Sequence, residues 1–411
     1  MSKQRKAAWQ GLKAVLLQGQ YASLWLRKHC EQLNEDEKRW VTQILYGVLR
    51  YRQPVRRQWS DLVKTAPDEE TAILLDLSVY QLFYLDKGAD YAIVNDTVSL
   101  CPNRKKGLVN AILREVLRRG MKEDLPLDSV DNISVMTSHP KWLLQMWKAH
   151  YGESVMKQTA LSDMMEAGVS VRINPLKWKD SLLEKREGWS LEENGWTLNT
   201  TGNPVNDPWL KEGKIVIQDR SSQQVALWLD ARAGENILDA CSAPGTKTTQ
   251  VAAMMQNQGH ILACDLHEHR LDLVNEGARR CGVKIIETRA MDATKADEIL
   301  DQEFDRVLLD VPCSGLGVLS HKPEILLRLT PENLDEIVEL QKQILDHCSP
   351  LVKKGGILIY STCTLNKKEN EKQIQAFLKR NSDFELVDEK TFFPFEGDQD
   401  GFYIAKLHRQ L

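Results

Sequence analysis

The apolar run Glu235-Asn236-Ile237-Leu238-Asp239-Ala240 passes directly into a turn of small residues, Cys241-Ser242-Ala243-Pro244-Gly245-Thr246-Lys247-Thr248. An apolar helical stretch through Val251, Ala252 and Met255 follows. A short buried strand, a tight small-residue turn and a helix make a nucleotide cradle. Small side chains let backbone N–H groups approach a ligand at the positive end of the helix. The Gly-x-x-x-x-Gly-Lys spacing of a P-loop is absent, and so is Gly-x-Gly-x-x-Gly, which disfavours a nicotinamide cofactor.

From about residue 216 onward, strand patterns alternate with helical ones, which predicts an α/β domain with a parallel sheet and crossovers. Three successive strand ends carry an aspartate. Asp265 closes His260-Ile261-Leu262-Ala263-Cys264 and lies 20 residues after Gly245, a spacing that suits a carboxylate accepting from ribose hydroxyls. Asp292 follows the strand around Ile285-Ile286 and is placed to meet an adenine amino group. Phe304-Asp305-Arg306-Val307-Leu308-Leu309 delivers Asp310-Val311-Pro312-Cys313-Ser314-Gly315 to the carboxyl edge of the sheet. Gly355-Gly356-Ile357-Leu358-Ile359-Tyr360 delivers Ser361-Thr362-Cys363-Thr364-Leu365 to the same edge.

A lone cysteine at a strand end reads as a small buried residue. Two, each in a polar motif at neighbouring strand ends, read as one reactive site. The chemistry such a pair suits is methylation of carbon 5 of a cytosine. That carbon is a poor nucleophile until a thiolate adds to carbon 6. The thiolate must also leave at the end, and cysteine serves both steps. Addition builds electron density towards N3, which an acid beside the ring stabilises; Asp310 is the candidate. Cys363 is the candidate nucleophile and Cys313 its partner. Cys30, Cys101, Cys281 and Cys348 read as buried structural thiols. The eight cysteines are scattered without Cys-x-x-Cys pairs, so neither a metal site nor a disulfide framework is expected.

Residues 1–140 read as all helix. Asn34 is an N-cap before Glu35-Asp36-Glu37, Trp40, Ile44, Leu45 and Val48 follow at helical spacing, and Leu108 to Arg119 forms a second amphipathic helix closed by Gly120. The overall charge is −4, yet residues 1–64 hold 13 Lys/Arg against 5 Asp/Glu, consistent with a phosphate-binding surface. Residues 121–140 read as a polar linker, 141–215 as a small α+β subdomain with a Trp-rich helix (Trp142, Trp147), and 216–411 as the catalytic domain. No apolar run approaches the ~20 residues of a membrane span, and no signal-peptide core follows Met1. A cytoplasmic monomer is the expectation.

These motifs resemble those of the RNA 5-methylcytosine methyltransferases of the NOL1/NOP2/Sun family, over most of the chain. The likeness is to bacterial members that act on small-subunit ribosomal RNA and carry a NusB-like helical domain. Ala92-Ile93-Val94-Asn95-Asp96-Thr97-Val98 and Gly107-Leu108-Val109-Asn110-Ala111-Ile112-Leu113-Arg114 are similar to NusB-like segments. Ser138-His139-Pro140-Lys141-Trp142, Gln218-Asp219-Arg220-Ser221-Ser222-Gln223 and Asp400-Gly401-Phe402-Tyr403 are similar to other family blocks. The resemblance implies a Rossmann-like class I core using S-adenosylmethionine as methyl donor. It implies Cys363 as nucleophile, Cys313 assisting proton removal or product release, and Cys241, Ser242, Ala243, Pro244, Gly245, Thr246, Lys247, Asp265, Asp292 and Asp310 around the cofactor. The implied partner is 16S ribosomal RNA, naked or in an early assembly intermediate. The alternatives are a transfer-RNA cytosine methyltransferase and a non-catalytic RNA-binding assembly factor. Two departures stand out. Thr246 occupies a usual glycine position, which is expected to alter the loop backbone or cofactor affinity because threonine tolerates positive φ poorly. Ser320-His321-Lys322-Pro323-Glu324 lacks the family's paired arginines.

Overall fold

The computed structural model describes residues 3–85, 88–166, 168–200 and 204–411. The chain packs as two compact units, Met1–Glu166 with Leu319–Leu329, and Ala167–Val318 with Thr330–Leu411. The stretch read as a small α+β subdomain is shared between them: its helices Lys141–Tyr151 and Glu153–Ser162 lie in the first, its strands in the second.

The first unit is helical throughout its described residues. Asn34 caps the helix Glu35–Arg50 in a reciprocal pair: its side chain accepts from the Glu37 N–H at 2.9 Å, and Glu37 accepts from the Asn34 N–H at 3.0 Å. The helix Lys106–Arg119 buries Val109, Ile112, Leu113 and Val116, the face its periodicity indicates, and ends at Gly120 with φ +74°. The polar stretch 121–140 is not all linker. It contains the helix Val130–Thr137, whose Ser129 cap accepts from the Asn132 N–H at 3.2 Å. Only Ile133 and Thr137 of that helix are buried, too few for a visible periodicity.

Much of the early basic charge is engaged within this unit. Asp76 is fully buried and accepts from Arg56 Nη2 at 2.9 Å and Trp59 Nε1 at 2.8 Å. Arg52 and Arg56 both approach Glu69, at 3.7 and 3.5 Å, and Arg50 donates to the Ser320 carbonyl at 2.7 Å. Arg50, Arg52 and Arg56 thus serve packing, while Lys3, Lys6, Arg27, Lys28, Arg39 and Lys64 stay exposed.

The second unit holds two sheets. Strands β1 (Val171–Ile173), β2 (Ser190–Leu191), β3 (Thr197–Asn199) and β4 (Ile215–Ile217) form a small antiparallel sheet in the order β2-β3-β1-β4. Strands β5 (Asn236–Asp239), β6 (His260–Asp265), β7 (Ile286–Ala290), β8 (Phe304–Asp310), β9 (Val352–Thr362), β10 (Phe384–Phe392) and β11 (Phe402–Arg409) form the large one, in the order β10-β11-β9-β8-β5-β6-β7. β5 to β9 pair in parallel as the sequence predicts; β11 inserts antiparallel between β9 and β10, so the sheet is mixed. Alternate side chains point to opposite faces. Leu238, Leu262, Val307, Leu358 and Tyr360 pack in one apolar cluster, and Ile237, Ile261, Leu308, Ile359 and Ile404 in another. Parallel pairing puts the carboxyl ends of β5, β6, β8 and β9 on one edge.

Replacing Asp76 by Ala leaves Arg56 and the Trp59 indole N–H without their buried acceptor. A loss of about 3 kcal/mol is expected from truncating one partner of a buried ion pair, measured by urea denaturation of the full chain.

Candidate active site

Asp310 on β8 is register-paired with Ser361 on β9, so the two strands release their cysteine loops side by side. The Val311 N–H donates to the Ser361 carbonyl at 3.1 Å, continuing the ladder into the loops. The sulfur atoms of Cys313 and Cys363 lie 3.3 Å apart, each half-buried. The hydrogen bond to Cys363, then burial, then negative charge on Cys363 and Glu369 hold the Cys313 thiol well above its ordinary pKa.

Both loops are tied to one buried carboxylate. Glu369, fully enclosed, accepts from the Ser314 N–H at 2.9 Å, the Ser314 hydroxyl at 2.6 Å, Asn366 Nδ2 at 2.9 Å and Gln341 Nε2 at 3.0 Å. The Ser314 hydroxyl also meets the Thr364 hydroxyl at 2.7 Å, and Gln341 reaches the Pro312 carbonyl at 3.0 Å. Asn370 accepts from the Thr362 hydroxyl at 2.6 Å and donates to the Thr364 carbonyl at 2.9 Å. Behind Cys363 two glycine backbones cross. The Gly317 N–H donates to the Cys363 carbonyl at 3.0 Å and the Gly401 N–H to the Gly317 carbonyl at 2.8 Å. A Cβ on Gly317 would fall 1.8 Å from the Gly401 oxygen, so this crossing requires glycine.

Beside the thiols, Lys247 donates to Asp310 Oδ2 at 2.7 Å and the Ser361 hydroxyl to Asp310 Oδ1 at 2.8 Å. The Lys247 ammonium also sits 5.3 Å from the Phe402 ring centroid. Burial pulls the Lys247 pKa down, but Asp310 more than offsets it, so the group is held above its usual value and stays charged. Asp310 is thus ion-paired with Lys247.

The small-residue turn behaves as its composition requires. Gly245, at φ +94°, is the left-handed residue before the helix Thr246–Met254, and a Cβ there would approach the Val274 backbone at 3.0 Å. Thr246 is already helical, so its side chain carries no positive-φ penalty; the expected backbone disturbance does not arise. Its carbonyl accepts from the buried Arg172 guanidinium at 2.9 Å. The Ser242 N–H and hydroxyl both bind the Cys264 carbonyl, at 2.8 and 2.9 Å. Asp265 is paired with Arg270, which also donates to the Ala243 carbonyl at 3.2 Å. Asp292 accepts from the Thr294 N–H at 3.0 Å and hydroxyl at 2.7 Å, which lowers its pKa. Burial, then the charges of Cys348, Asp239, Asp310 and Asp265, push the Cys241 thiol well above its ordinary pKa.

Asp239, Glu369, Asn370, Gln341 and Ser361 are side chains hydrogen-bonded around the thiol loops and the turn that the sequence reading did not single out. Asp239 offered a signal, as the lone acid inside an apolar strand. Glu369 and Asn370 sit in Asn366-Lys367-Lys368-Glu369-Asn370-Glu371, which reads as a solvated charge run. Asp239 accepts from the Thr248 hydroxyl at 2.7 Å, while its Oδ1 is buried without a hydrogen-bond partner. Burial, with Asp310 adding to it, pushes this carboxyl up to about 7. A carboxyl raised on folding favours the folded state below its unfolded pKa of 3.8, and that advantage is lost as pH rises through about 7. Asp239→Asn is therefore expected to match the parent near pH 4 and to exceed it by a few kcal/mol at pH 8, read from denaturation curves at both pH values. A parallel pH dependence in both proteins would contradict this.

Residues 226–408 match the model of the family described as 16S rRNA methyltransferase RsmB/F, and residues 2–118 match the NusB family. The chain is 34% identical over 424 residues to the probable ribosomal RNA small subunit methyltransferase B of Bacillus subtilis, covering 95% of each. It is 35% identical to the like-named protein of Synechocystis, covering 93% of each. Among solved structures it resembles a methyltransferase homologue from Pyrococcus horikoshii, with a TM-score of 0.61 and 27% identity over 69% of this chain and all of that one. An adjacent thiol pair at the carboxyl edge of this mixed seven-stranded sheet, a helical unit matching NusB and near-full-length likeness at this level together show that the chain belongs to the 16S rRNA methyltransferase RsmB/F family.

Proposed function

We propose that this chain transfers a methyl group from S-adenosylmethionine to carbon 5 of a specific cytosine in 16S ribosomal RNA, through a covalent bond between Cys363 and carbon 6. The observation that carries this reading is the contact of the two motif thiols beside the Lys247–Asp310 pair.

The turn residues Cys241 to Lys247, with Asp265 at the ribose, Asp292 at the adenine amino group and Asp310, would hold the methyl donor. They fit it: Gly245 opens the backbone, and Asp239 presents an unsatisfied buried oxygen. When bound, the donor supplies an electrophilic methyl group. The protein supplies the rest. The Cys363 thiolate forms a bond to carbon 6, and electron density moves towards N3. Asp310, with the Lys247 ammonium it holds, is assigned to stabilise that charge. Carbon 5 is then nucleophilic and takes the methyl group. The carbon 5 proton is lost to solvent, its electron pair re-forms the carbon 5–carbon 6 double bond and expels the Cys363 thiolate, and Cys313 assists release of the product. A stacked base cannot reach this edge, so the target is single-stranded or flipped out.

The NusB-like residues 1–140 are assigned as the RNA-binding domain, 141–215 as a linker subdomain and 216–411 as the catalytic domain. The substrate is taken to be naked RNA or an early assembly intermediate, and the enzyme a cytoplasmic monomer. No helix among the described residues is long and apolar enough to cross a membrane.

Cys363→Ala is expected to abolish methylation of 16S RNA, followed by tritium transfer from labelled donor. Cys313→Ala is expected to accumulate an RNA adduct that survives denaturing electrophoresis. Methylation persisting in the Cys363 variant would overturn the assignment. Bisulfite sequencing of RNA from a deletion strain would give the address of the cytosine.

A further inference from the structure

Two thiols in contact at 3.3 Å do not both ionise, because the second negative charge is opposed by the first. Which one loses its proton is set by the fixed charges on either side. We propose that Glu369 is a positioning residue that divides the labour of the pair: it pins the Cys313 loop to the Cys363 loop and holds a negative charge on the Cys313 side, so that the thiolate forms at Cys363. The proposal deepens, and rests on, the reading of Cys363 as nucleophile.

The two sides of the pair differ in sign. On the Cys363 side lies the Lys247 ammonium, itself favoured by charge on Cys363. On the Cys313 side lies Glu369, which grips the amide and the hydroxyl of Ser314, the next residue in the chain. The other titratable groups facing the site are Asp310 and Asp239 at the strand ends, Cys241 in the turn and Tyr360 on β9. Asp310 is balanced by Lys247. Tyr360 donates to the Glu369 carbonyl at 2.7 Å; burial, then Glu369, hold its phenol neutral.

The four donors meeting the Glu369 carboxylate are neutral: the amide and hydroxyl of Ser314 and the amides of Asn366 and Gln341. They solvate the charge without cancelling it. A glutamine has the same length but a single acceptor oxygen, so it can keep the Ser314 amide and Gln341 while losing acceptance from Asn366 and the Ser314 hydroxyl; the acid serves the clamp as well as the charge. A buried carboxylate is costly to desolvate. Beyond the clamp, it places a negative field on the adjacent Cys313 thiol.

The test is pulsed alkylation of the full chain with iodoacetamide between pH 6 and 9, with Cys313 and Cys363 peptides quantified separately by mass spectrometry. In the parent, Cys363 is expected to label first at every pH. In Glu369→Gln, the ratio of Cys313 to Cys363 labelling is expected to rise about threefold or more at pH 8, the effect of roughly half a pKa unit or more. Glu369→Asp keeps the charge and is expected to return the ratio to within about twofold of the parent. A purely structural role would loosen the Cys313 loop in both variants and raise the ratio in Glu369→Asp as much as in Glu369→Gln; that result, or an unchanged ratio in Glu369→Gln, would overturn the proposal. Equal or reversed labelling in the parent would overturn it whether or not the Gln variant folds. The labelling needs no RNA, so it fails or succeeds separately from the Cys363→Ala methylation assay.

Discussion

The parallel pairing of β8 with β9, in the register Asp310 opposite Ser361, is the constraint on which the site depends. Side chains alternate along a strand, so a slip of one residue would turn Asp310 and Ser361 to opposite faces and separate the loops that follow. With this register, Ser361 meets Asp310, Asp310 anchors Lys247, and the two sulfurs come into contact. The loops beyond the strands are then fixed by polar groups rather than apolar packing. Glu369, Asn370 and the Gly317–Gly401 crossing hold backbone atoms within a residue or two of each thiol. A covalent mechanism needs that rigidity, since the same sulfur must attack and later depart along a defined line.

The charges around the site form a second layer. The acids Asp239, Asp265 and Asp310 line the turn region, Asp265 paired with Arg270 and Asp310 with Lys247. Lys247 is the cation set among them. It neutralises Asp310 and supports charge on Cys363. One buried acid, Glu369, lies on the far side of the thiol pair. In the proposed reaction, donor binding, nucleophile choice and charge stabilisation draw on these few side chains at one sheet edge.

The α/β core was legible in the sequence because buried parallel strands are apolar runs, and their polar ends mark the carboxyl edge. The strand ends Asp265, Asp310 and Cys363 follow from that pattern alone. The antiparallel β11, inserted between β9 and β10, was not legible, because chain order says nothing about which neighbour a strand chooses. The helix Val130–Thr137 was hidden because only two of its residues are buried. Thr246 looked anomalous because a motif comparison assigns glycine to a position whose backbone here is helical. The early arginines looked like an exposed cationic face, since composition cannot show that Asp76, Glu69 and a carbonyl at Ser320 meet them. Glu369 was invisible for a related reason: a buried acid and a solvated one have the same letter.

The central claim is that Cys363 bonds to the cytosine ring. It is tested most directly with RNA in which the target cytosine carries fluorine at carbon 5. Once that carbon is methylated there is no proton to remove, and the sulfur–carbon bond cannot be released. Incubation with S-adenosylmethionine followed by protease digestion and mass spectrometry should give a methylated RNA–peptide adduct on the peptide containing Cys363. An adduct on Cys313 instead, or methyl transfer with no adduct at all, would contradict the account.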